Sequence, residues 1–242
     1  MRIGIIIPTY NESENIQKVI NLVFEFAQRE SEVDVIIVDD NSPDGTSNIV
    51  RNMMKSNTHI KLIQRQGKLG LASAYLETMM LLLEKDEYDA LGTMDADLSH
   101  NPINIKAMSE SLATCDVAVG SRYISGGKTE NWPLKRKFLS YFGNMYARTI
   151  LGLPIKDITS GFLLIRSDFL KKIQLSRITC KGFAFLIELK YLFYLKGAEF
   201  KEIAIVFVDR QMGTSKISGS IINEGIVLPL KLRLHREKYK ES

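Results

Sequence analysis

Thr93-Met94-Asp95-Ala96-Asp97-Leu98-Ser99-His100 places two carboxylates one residue apart, directly after a short apolar run that begins at Ala90. If Ala90 to Met94 is a buried strand, the acidic pair emerges where the sheet ends, which is where open α/β sheets hold their ligands. In extended chain, residues i and i+2 point the same way, so both carboxylates can face one point. Mg2+ and Mn2+ take oxygen ligands, and Mg2+ in particular uses few protein carboxylates and completes its shell with water and phosphate oxygens. An Asp-x-Asp pair therefore suits a cation that travels with a pyrophosphate. Taken alone, the same pattern also describes solvated loop carboxylates or a helix cap, so its reading depends on the flanking chain.

Upstream, Ile3-Gly4-Ile5-Ile6-Ile7 is a continuous β-branched run of the kind found in central parallel strands, and Pro8 is expected to end it. Ile16, Val19, Ile20, Val23 and Phe24 then recur at helical spacing, with Asn11 and Glu14 placed like a helix cap and its capping-box partner. Val33 to Val38 reads as a second strand, followed by the turn-rich Asp39-Asp40-Asn41-Ser42-Pro43-Asp44-Gly45-Thr46 and a helix from Ser47 to Met54. Ile60 to Ile63 is a third strand and Leu69 to Glu84 a Leu- and Met-rich helix before the acidic motif. After it, Pro102 opens a helix through Ala113, and Val117 to Gly120 is a fifth strand. This alternation predicts an α/β protein with a mostly parallel central sheet, right-handed crossovers and helices on both faces. A glycine-rich dinucleotide turn is missing after the first strand, where Pro8-Thr9-Tyr10-Asn11-Glu12 stands instead, so hydride chemistry is disfavoured.

Beyond Gly120 the regular alternation stops. Ser121 to Gly161 mixes Gly126-Gly127, Trp132-Pro133, a basic cluster and a helical run from Leu134 to Leu151. Gly161 to Ile165 reads as a strand, Phe183 to Leu195 as a buried helix carrying Glu188, and Ile203 to Val208 as another strand. The tail interleaves Ile221, Ile222, Ile226, Val227, Leu228, Leu230, Leu232 and Leu234 with Lys231, Arg233, Arg236, Lys238 and Lys240. It reads either as an amphipathic helix on an anionic membrane, where each basic side chain adds about 1 kcal/mol, or as a last helix packed on the domain. Pro229 would kink it.

The 242 residues fit one α/β domain with an appendage, and 45% hydrophobic with 25% charged residues is the ordinary globular balance. A net charge of +4 permits an anionic partner without requiring one. Nothing in the pattern calls for nucleic acid. Cys115 and Cys180 lack a pairing pattern and read as reduced, buried thiols, which points to the cytoplasm. Ile3 to Ile7 is too short for the apolar core of a secretory leader, and no run approaches the roughly 18 to 20 apolar residues of a membrane span. The expectation is a soluble protein or one lying on a membrane surface.

Together these motifs resemble family 2 glycosyltransferases of the GT-A fold, and within them the dolichol- or polyprenol-phosphate mannose synthases. The resemblance runs through Ile7-Pro8-Thr9-Tyr10-Asn11-Glu12, Val38 to Thr46, Met94 to His100, Gly120-Ser121-Arg122-Tyr123 with Gly126-Gly127 and Asn131-Trp132-Pro133, Thr159-Ser160-Gly161-Phe162, and Arg210 to Lys216. It covers residues 1 to about 217, with a nucleotide-sugar half at 1–120, an acceptor half at 121–217, and 218–242 as the amphipathic basic tail.

The resemblance implies transfer of mannose from GDP-mannose to a dolichyl or polyprenyl phosphate in a membrane, with inversion at the sugar. It implies a donor pocket at Pro8, Tyr10, Glu12, Val38 and Asp40, continuing through Asp95, Ala96 and Asp97, with Arg210 and Lys216 on the donor diphosphate. Tyr10 can stack on a base, and the carboxylates can accept from ring or ribose donors. It further implies a Mg2+ or Mn2+ site at Asp95, Asp97 and Ser99, and an acceptor-phosphate site at Ser121, Arg122 and Arg136. Some relatives have a longer amide side chain where Ser99 stands, so water can bridge here. Guanidinium forks suit phosphate oxygens bidentately, and they answer the repulsion between two phosphate-bearing substrates.

The second pKa of a phosphate monoester is about 6, so its oxygen attacks without a general base and no catalytic His is needed. His59, His100 and His235 then read as structural, and Glu188 as a structural carboxylate beneath the site. If the acceptor were instead a glycan or protein hydroxyl, Glu188 would be its base. The donor could also be UDP-glucose or another nucleotide sugar, and the chain could be a non-catalytic nucleotide-sugar-binding subunit. The sequence departs from the family pattern at Asn101, where a proline is common, and at Leu186, where a polar residue is common. Some relatives carry C-terminal transmembrane helices. This chain is expected to be a peripheral enzyme on the cytosolic face of a membrane, the endoplasmic reticulum in a eukaryote, held by its tail or by a small membrane-anchoring subunit.

Overall fold

The structure, a computed structural model, describes residues 1–27, 32–180, 182–209 and 219–240. Arg210 and Lys216 lie outside the described residues. The chain runs β1 (Arg2–Thr9), α1 (Ile16–Ala27), β2 (Glu32–Asp39), α2 (Thr46–Met54), β3 (Ile60–Gln64), α3 (Leu71–Lys85), β4 (Ala90–Thr93), α4 (Asn104–Ser111) and β5 (Val117–Ser121). It continues through β6 (Lys128–Glu130), α5 (Leu134–Leu151), β7 (Leu163–Arg166), α6 (Ser167–Leu170), α7 (Phe185–Leu195), β8 (Phe200–Ala204), β9 (Val206–Val208), α8 (Gly219–Leu234) and α9 (Arg236–Lys240).

Seven strands form one sheet in the order β3-β2-β1-β4-β7-β5-β8, and β6 pairs with β9 in a small second sheet. All pairings in the large sheet are parallel except those of β7, which runs antiparallel to both β4 and β5. The apolar runs of β1 and β2 are buried on both faces because Ile3, Ile5, Ile7, Val33, Val35 and Ile37 pack with α1, α2 and α4 on one side. Ile6, Ile36 and Val38 pack with α3, α5, α7 and α8 on the other.

Several expectations need correction. Pro8 does not end β1, which continues to Thr9 with Pro8 opposite Val38. Ile6 accepts from Met94 on the β4 side and Thr9 accepts from Asp40 on the β2 side, so the missing Pro8 donor faces β4. Pairing with β4 stops at Ile6, and no ladder bond is lost there. Asn11 is not a helix cap: its φ is 62°, and α1 starts at Ile16, whose amide and that of Asn15 both donate to the Glu12 carbonyl. The expected strand from Ile203 to Val208 is two strands, because the chain leaves the main sheet after Ala204 to pair β9 with β6.

The tail is helical and packs on the domain through Leu228 and Leu232, and the Tyr146 hydroxyl of α5 donates to the Ile226 carbonyl of α8. Its outer face carries exposed Ile226, Val227, Leu230 and Leu234 beside Lys231 and Arg233, so apolar side chains lie on both faces of the described part. Among the described residues no helix is long and apolar enough to cross a membrane. Cys115 is buried and Cys180 half-buried, and the two form no disulfide with each other.

Candidate active site

From β1 the chain turns one way to β2 and β3, and through α3 the other way to β4. The C-terminal ends of β1, β2 and β4 therefore flank the switch point where α/β sheets bind ligands. Pro8 to Glu12 closes and follows β1, Asp39 and Asp40 close β2, and Asp95 to Ser99 follows β4, so the expected donor residues stand at the C-terminal ends of three adjacent strands.

The acidic loop is bent rather than extended. Leu98 sits at φ 63°, and Ser99 returns both its amide and its hydroxyl to Asp97 Oδ1. The Asp95 amide donates to His100 Nδ1 at 3.1 Å, so this imidazole nitrogen is an acceptor and the proton sits on Nε2. Burial holds the His100 pKa down against the pull of Asp95 and Asp97, in keeping with a neutral ring. Beneath the loop, fully buried Tyr75 donates to the Met94 carbonyl at 3.1 Å, and burial together with both aspartates pushes its pKa up. The two carboxylates thus act on the same two buried groups and share one small region. A non-glycine residue in the left-handed region costs about 1 kcal/mol or more, a cost incurred in presetting this loop.

Asp95 and Asp97 fit a hard divalent cation. Among the described residues no three His, Cys, Asp or Glu side chains cluster as a complete metal cage, and a pair of carboxylates is the donor set of an ion that also takes phosphate and water oxygens. Ser99 is buried with its hydroxyl turned to Asp97, so it braces the carboxylate directly.

At the end of β2, Asp40 is bound to the loop after β3. Its Oδ2 accepts the amides of Leu69 and Gly70 at 3.0 Å each, and Oδ1 lies 3.1 Å from buried Arg65. The loop carries Lys68, whose Nζ stands 4.1 Å from the centre of the Tyr10 ring. Arg65 and Lys68 thus join the candidate residues Asp40 and Tyr10 without being marked by the sequence motifs, and basic residues set among Gly67 and Gly70 at a strand end are the signal that could find them. Glu12 donates its amide to the Thr46 hydroxyl, and Val38 is buried inside β2, paired with Pro8 of β1 and Ile63 of β3. Burial pushes the Asp44 carboxyl up, but hydrogen bonds from Thr46 and Ser13 outweigh it and hold the pKa low.

Past the end of β5, Asp157 dominates. It is fully buried, takes Nε and Nη2 of Arg122 at 2.7 Å each, and also accepts the Arg122 amide at 3.0 Å. Burial disfavours the Asp157 carboxylate, and the Arg122 charge overrides it, keeping the pKa below the usual range. The Arg122 guanidinium therefore directs its fork to Asp157 and Thr159, among the rings of Tyr123, Trp132 and Phe207. Ser121 is also fully buried, its hydroxyl accepting the Tyr123 amide. Gly127 lets the next loop pass close by, since a Cβ there would lie 2.5 Å from the Ser121 carbonyl. Arg136 is more open. Its Nη1 pairs with Asp209 at 2.7 Å, and its guanidinium carbon lies 4.1 Å from the centre of the Trp132 ring.

The two sides meet through the loop before β7. A Cβ on Gly161 would lie 3.9 Å from Asp95 Oδ1, and Thr93 donates to the Gly161 carbonyl. His100 stacks on Phe162 at 5.0 Å and meets Phe207 edge-on at 5.4 Å, and Phe207 in turn meets Trp132 at 5.4 Å. A continuous layer of rings thus joins the acidic loop to the Arg136 cation.

Lys190 holds this loop from below. Fully buried on α7, it donates to the Ile158 and Ser160 carbonyls at 3.1 and 2.6 Å, and burial lowers its pKa to about 7. The unfolded chain then binds more protons than the folded one between pH 7 and the ordinary lysine pKa, so this group's contribution to stability rises with pH across that window. The unfolding free energy from urea titrations should gain about 1.4 kcal/mol per pH unit in wild type relative to Lys190→Met. Parallel pH profiles of the two proteins would contradict the assignment.

Glu188, also fully buried on α7, accepts the amides of Thr179 and Cys180 at 3.0 and 2.9 Å, and the Thr179 and Tyr239 hydroxyls at 3.3 and 2.8 Å. It ties α9 to the loop before α7.

Residues 4–174 match the family described as glycosyl transferase family 2. Over 227 residues the chain is 38% identical to undecaprenyl-phosphate mannosyltransferase of Micrococcus luteus, covering 94% of this chain and 92% of that protein. It is also 38% identical over 224 residues to polyprenol monophosphomannose synthase of Mycolicibacterium smegmatis, covering 92% and 83%. Among solved structures, glucosyl-3-phosphoglycerate synthase from Mycobacterium tuberculosis, crystallised with Mn2+, UDP-glucose and phosphoglyceric acid, superposes with a TM-score of 0.68 at 15% identity. That likeness covers 96% of this chain and 79% of the other, and it speaks to the fold alone.

Proposed function

The chain belongs to glycosyl transferase family 2, and from that premise we propose that it moves mannose from GDP-mannose to the phosphate of a polyprenol in a membrane, with inversion at the sugar. The observation that carries this reading is the acidic loop at the switch point lying one layer of rings away from Arg136. A carboxylate site for a cation and an anion-seeking guanidinium stand side by side, as two phosphate-bearing substrates require. The two named mannosyltransferase relatives support the same acceptor class.

Asp95 and Asp97 would hold Mg2+ or Mn2+, which when bound offsets charge on the departing nucleoside diphosphate. Pro8, Tyr10, Glu12, Val38 and Asp40 line the nucleotide end, where Tyr10 presents a ring face and Lys68 adds a cation beside it. Ala96 contributes backbone between the two aspartates, and Arg210 and Lys216 are assigned to the diphosphate. Arg136 attracts the acceptor phosphate. Arg122, engaged by Asp157, and buried Ser121 shape the wall behind it rather than gripping it. A dianionic phosphate oxygen forms the bond to the anomeric carbon while the bond to the diphosphate breaks, and no side chain need take a proton.

Attachment to a membrane surface is supported by α5 as well as the tail. Leu134, Phe138, Tyr141, Phe142 and Met145 are exposed along one face of α5, and α8 beside it exposes Ile226, Val227, Leu230 and Leu234. An apolar face of this extent, edged by Lys135, Lys137, Lys231 and Arg233, suits an anionic lipid surface. We divide the chain accordingly into a catalytic domain at 1–217 and a surface-binding tail at 218–242.

Radiolabelled GDP-mannose, Mg2+ and a short polyprenyl phosphate test the reading, with label expected in an organic-soluble product. Equal or better transfer from UDP-glucose would replace the donor assignment. For the acceptor, Glu188→Gln should keep turnover within about tenfold of wild type while lowering stability by about 1–3 kcal/mol, since it weakens a structural acceptor. Abolished turnover in a folded Glu188→Gln protein would favour a hydroxyl acceptor instead.

A further inference from the structure

The backbone at Gly161 leaves room for one more side-chain atom at the edge of the acidic loop. A Cβ built there would lie 3.6 Å from Leu186 Cδ1, 3.8 Å from His100 Cε1 and 3.9 Å from Asp95 Oδ1, all ordinary van der Waals separations. Its φ lies outside the left-handed region, so the local conformation does not call for glycine either. Gly92 in β4 shows the contrast: a Cβ there would lie 2.5 Å from Ile5 Cδ1, and the fold itself excludes one. A glycine where alanine would fit costs stability through the extra freedom of the unfolded chain. Such a glycine marks a place where another group approaches the backbone closely. The backbone is not free to draw back from that group. Lys190 donates to the Ser160 carbonyl at 2.6 Å, which fixes the peptide before Gly161, and the Thr93 hydroxyl donates to the Gly161 carbonyl at 2.6 Å, which fixes the peptide after it. Gly161 is half-buried and the Asp95 side chain is 22% exposed, so the space is reached from the crevice at the end of β4.

We infer that Gly161 is a specificity-determining residue whose bare backbone faces the transferred sugar of the donor. The inference rests on the proposed function, in which a nucleotide sugar is the donor. There the diphosphate goes with the cation at Asp95 and Asp97 and the acceptor phosphate with Arg136, which leaves the sugar between them as the group that meets this loop. The walls around the space are an apolar side chain, the edge of an imidazole and a carboxylate oxygen. A pyranose has the matching mixture, with C–H groups across its face and hydroxyls around its edge. A methyl group on residue 161 would stand where the near edge of the sugar belongs and would leave the nucleotide end at Tyr10 untouched.

Calorimetric titration of GDP and of GDP-mannose, each with Mg2+, separates the sugar from the rest of the donor. Gly161→Ala should raise the Kd for GDP-mannose at least about tenfold, the scale of one misplaced methyl group in a pocket, and keep that for GDP within about twofold of wild type. The same variant should unfold at an equal or higher urea concentration than wild type, because the fold does not need the glycine. An unchanged Kd for GDP-mannose in Gly161→Ala would overturn the inference. So would an equal loss of affinity for both ligands, or a variant that fails to fold. If the wild-type protein binds UDP-glucose in place of GDP-mannose, the same comparison with UDP and UDP-glucose decides. A sugar-specific loss in a protein whose wild type transfers nothing to polyprenyl phosphate would leave Gly161 at the sugar and defeat the proposed acceptor.

Discussion

Asp97→Asn is expected to lower kcat/KM for sugar transfer by on the order of 10³-fold while the protein stays folded. Asp97 is 7% exposed and receives two donors from Ser99 on Oδ1, contacts that an amide oxygen can still accept. What the substitution removes is the negative charge. One of the two carboxylates that fit the cation is neutralised, and the departing diphosphate loses the stabilisation that this charge secures. The loss belongs to the transition state, so it should show in kcat more than in KM for the acceptor. Steady-state kinetics with and without added Mn2+ check it, alongside a thermal melt. Activity within tenfold of wild type would mean that Asp97 does not serve the reaction.

Asp157→Asn should destabilise the fold by about 3–5 kcal/mol, because it strands the Arg122 charge in a buried site. Arg122 is 9% exposed, enclosed by Tyr123, Trp132 and Phe207, and it donates to Asp157 through its backbone amide as well as its fork. The pair sits away from water, so the cost is that of an uncompensated charge. The midpoint and slope of urea unfolding measure it. A change below 1 kcal/mol would show that the pair is freely solvated. Under the proposed function the same substitution should weaken acceptor binding, since the Trp132 ring on which Arg136 stacks is packed against Arg122.

The first 120 residues are legible in the sequence because each strand is a short apolar run closed by turn residues, and each helix keeps its apolar period. The GT-A arrangement follows from that order together with the resemblance. The direction of β7 is not legible: Leu163 to Ile165 is equally apolar either way, and only pairing with Leu91 and Val117 fixes it as antiparallel. Strands β6 and β9 have three residues each, too short to stand out. Within the site, the Asp-x-Asp pair announces itself, whereas Asp157 lies 35 residues from the arginine it pairs with. Lys190 is hidden in an apolar helix, although a lysine and a glutamate inside that run, Lys190 and Glu188, are themselves a signal of buried polar groups with partners. In the sequence only the tail suggests a membrane surface, because the exposed apolar stripe of α5 has the same spacing as a core helix.

Mannose transfer from GDP-mannose to a polyprenyl phosphate, assayed in excess chelator and again after adding back Mg2+ or Mn2+, tests most directly the assignment of Asp95 and Asp97. No organic-soluble product in chelator, and full recovery on adding the ion, is the predicted result. Undiminished transfer in chelator would contradict it.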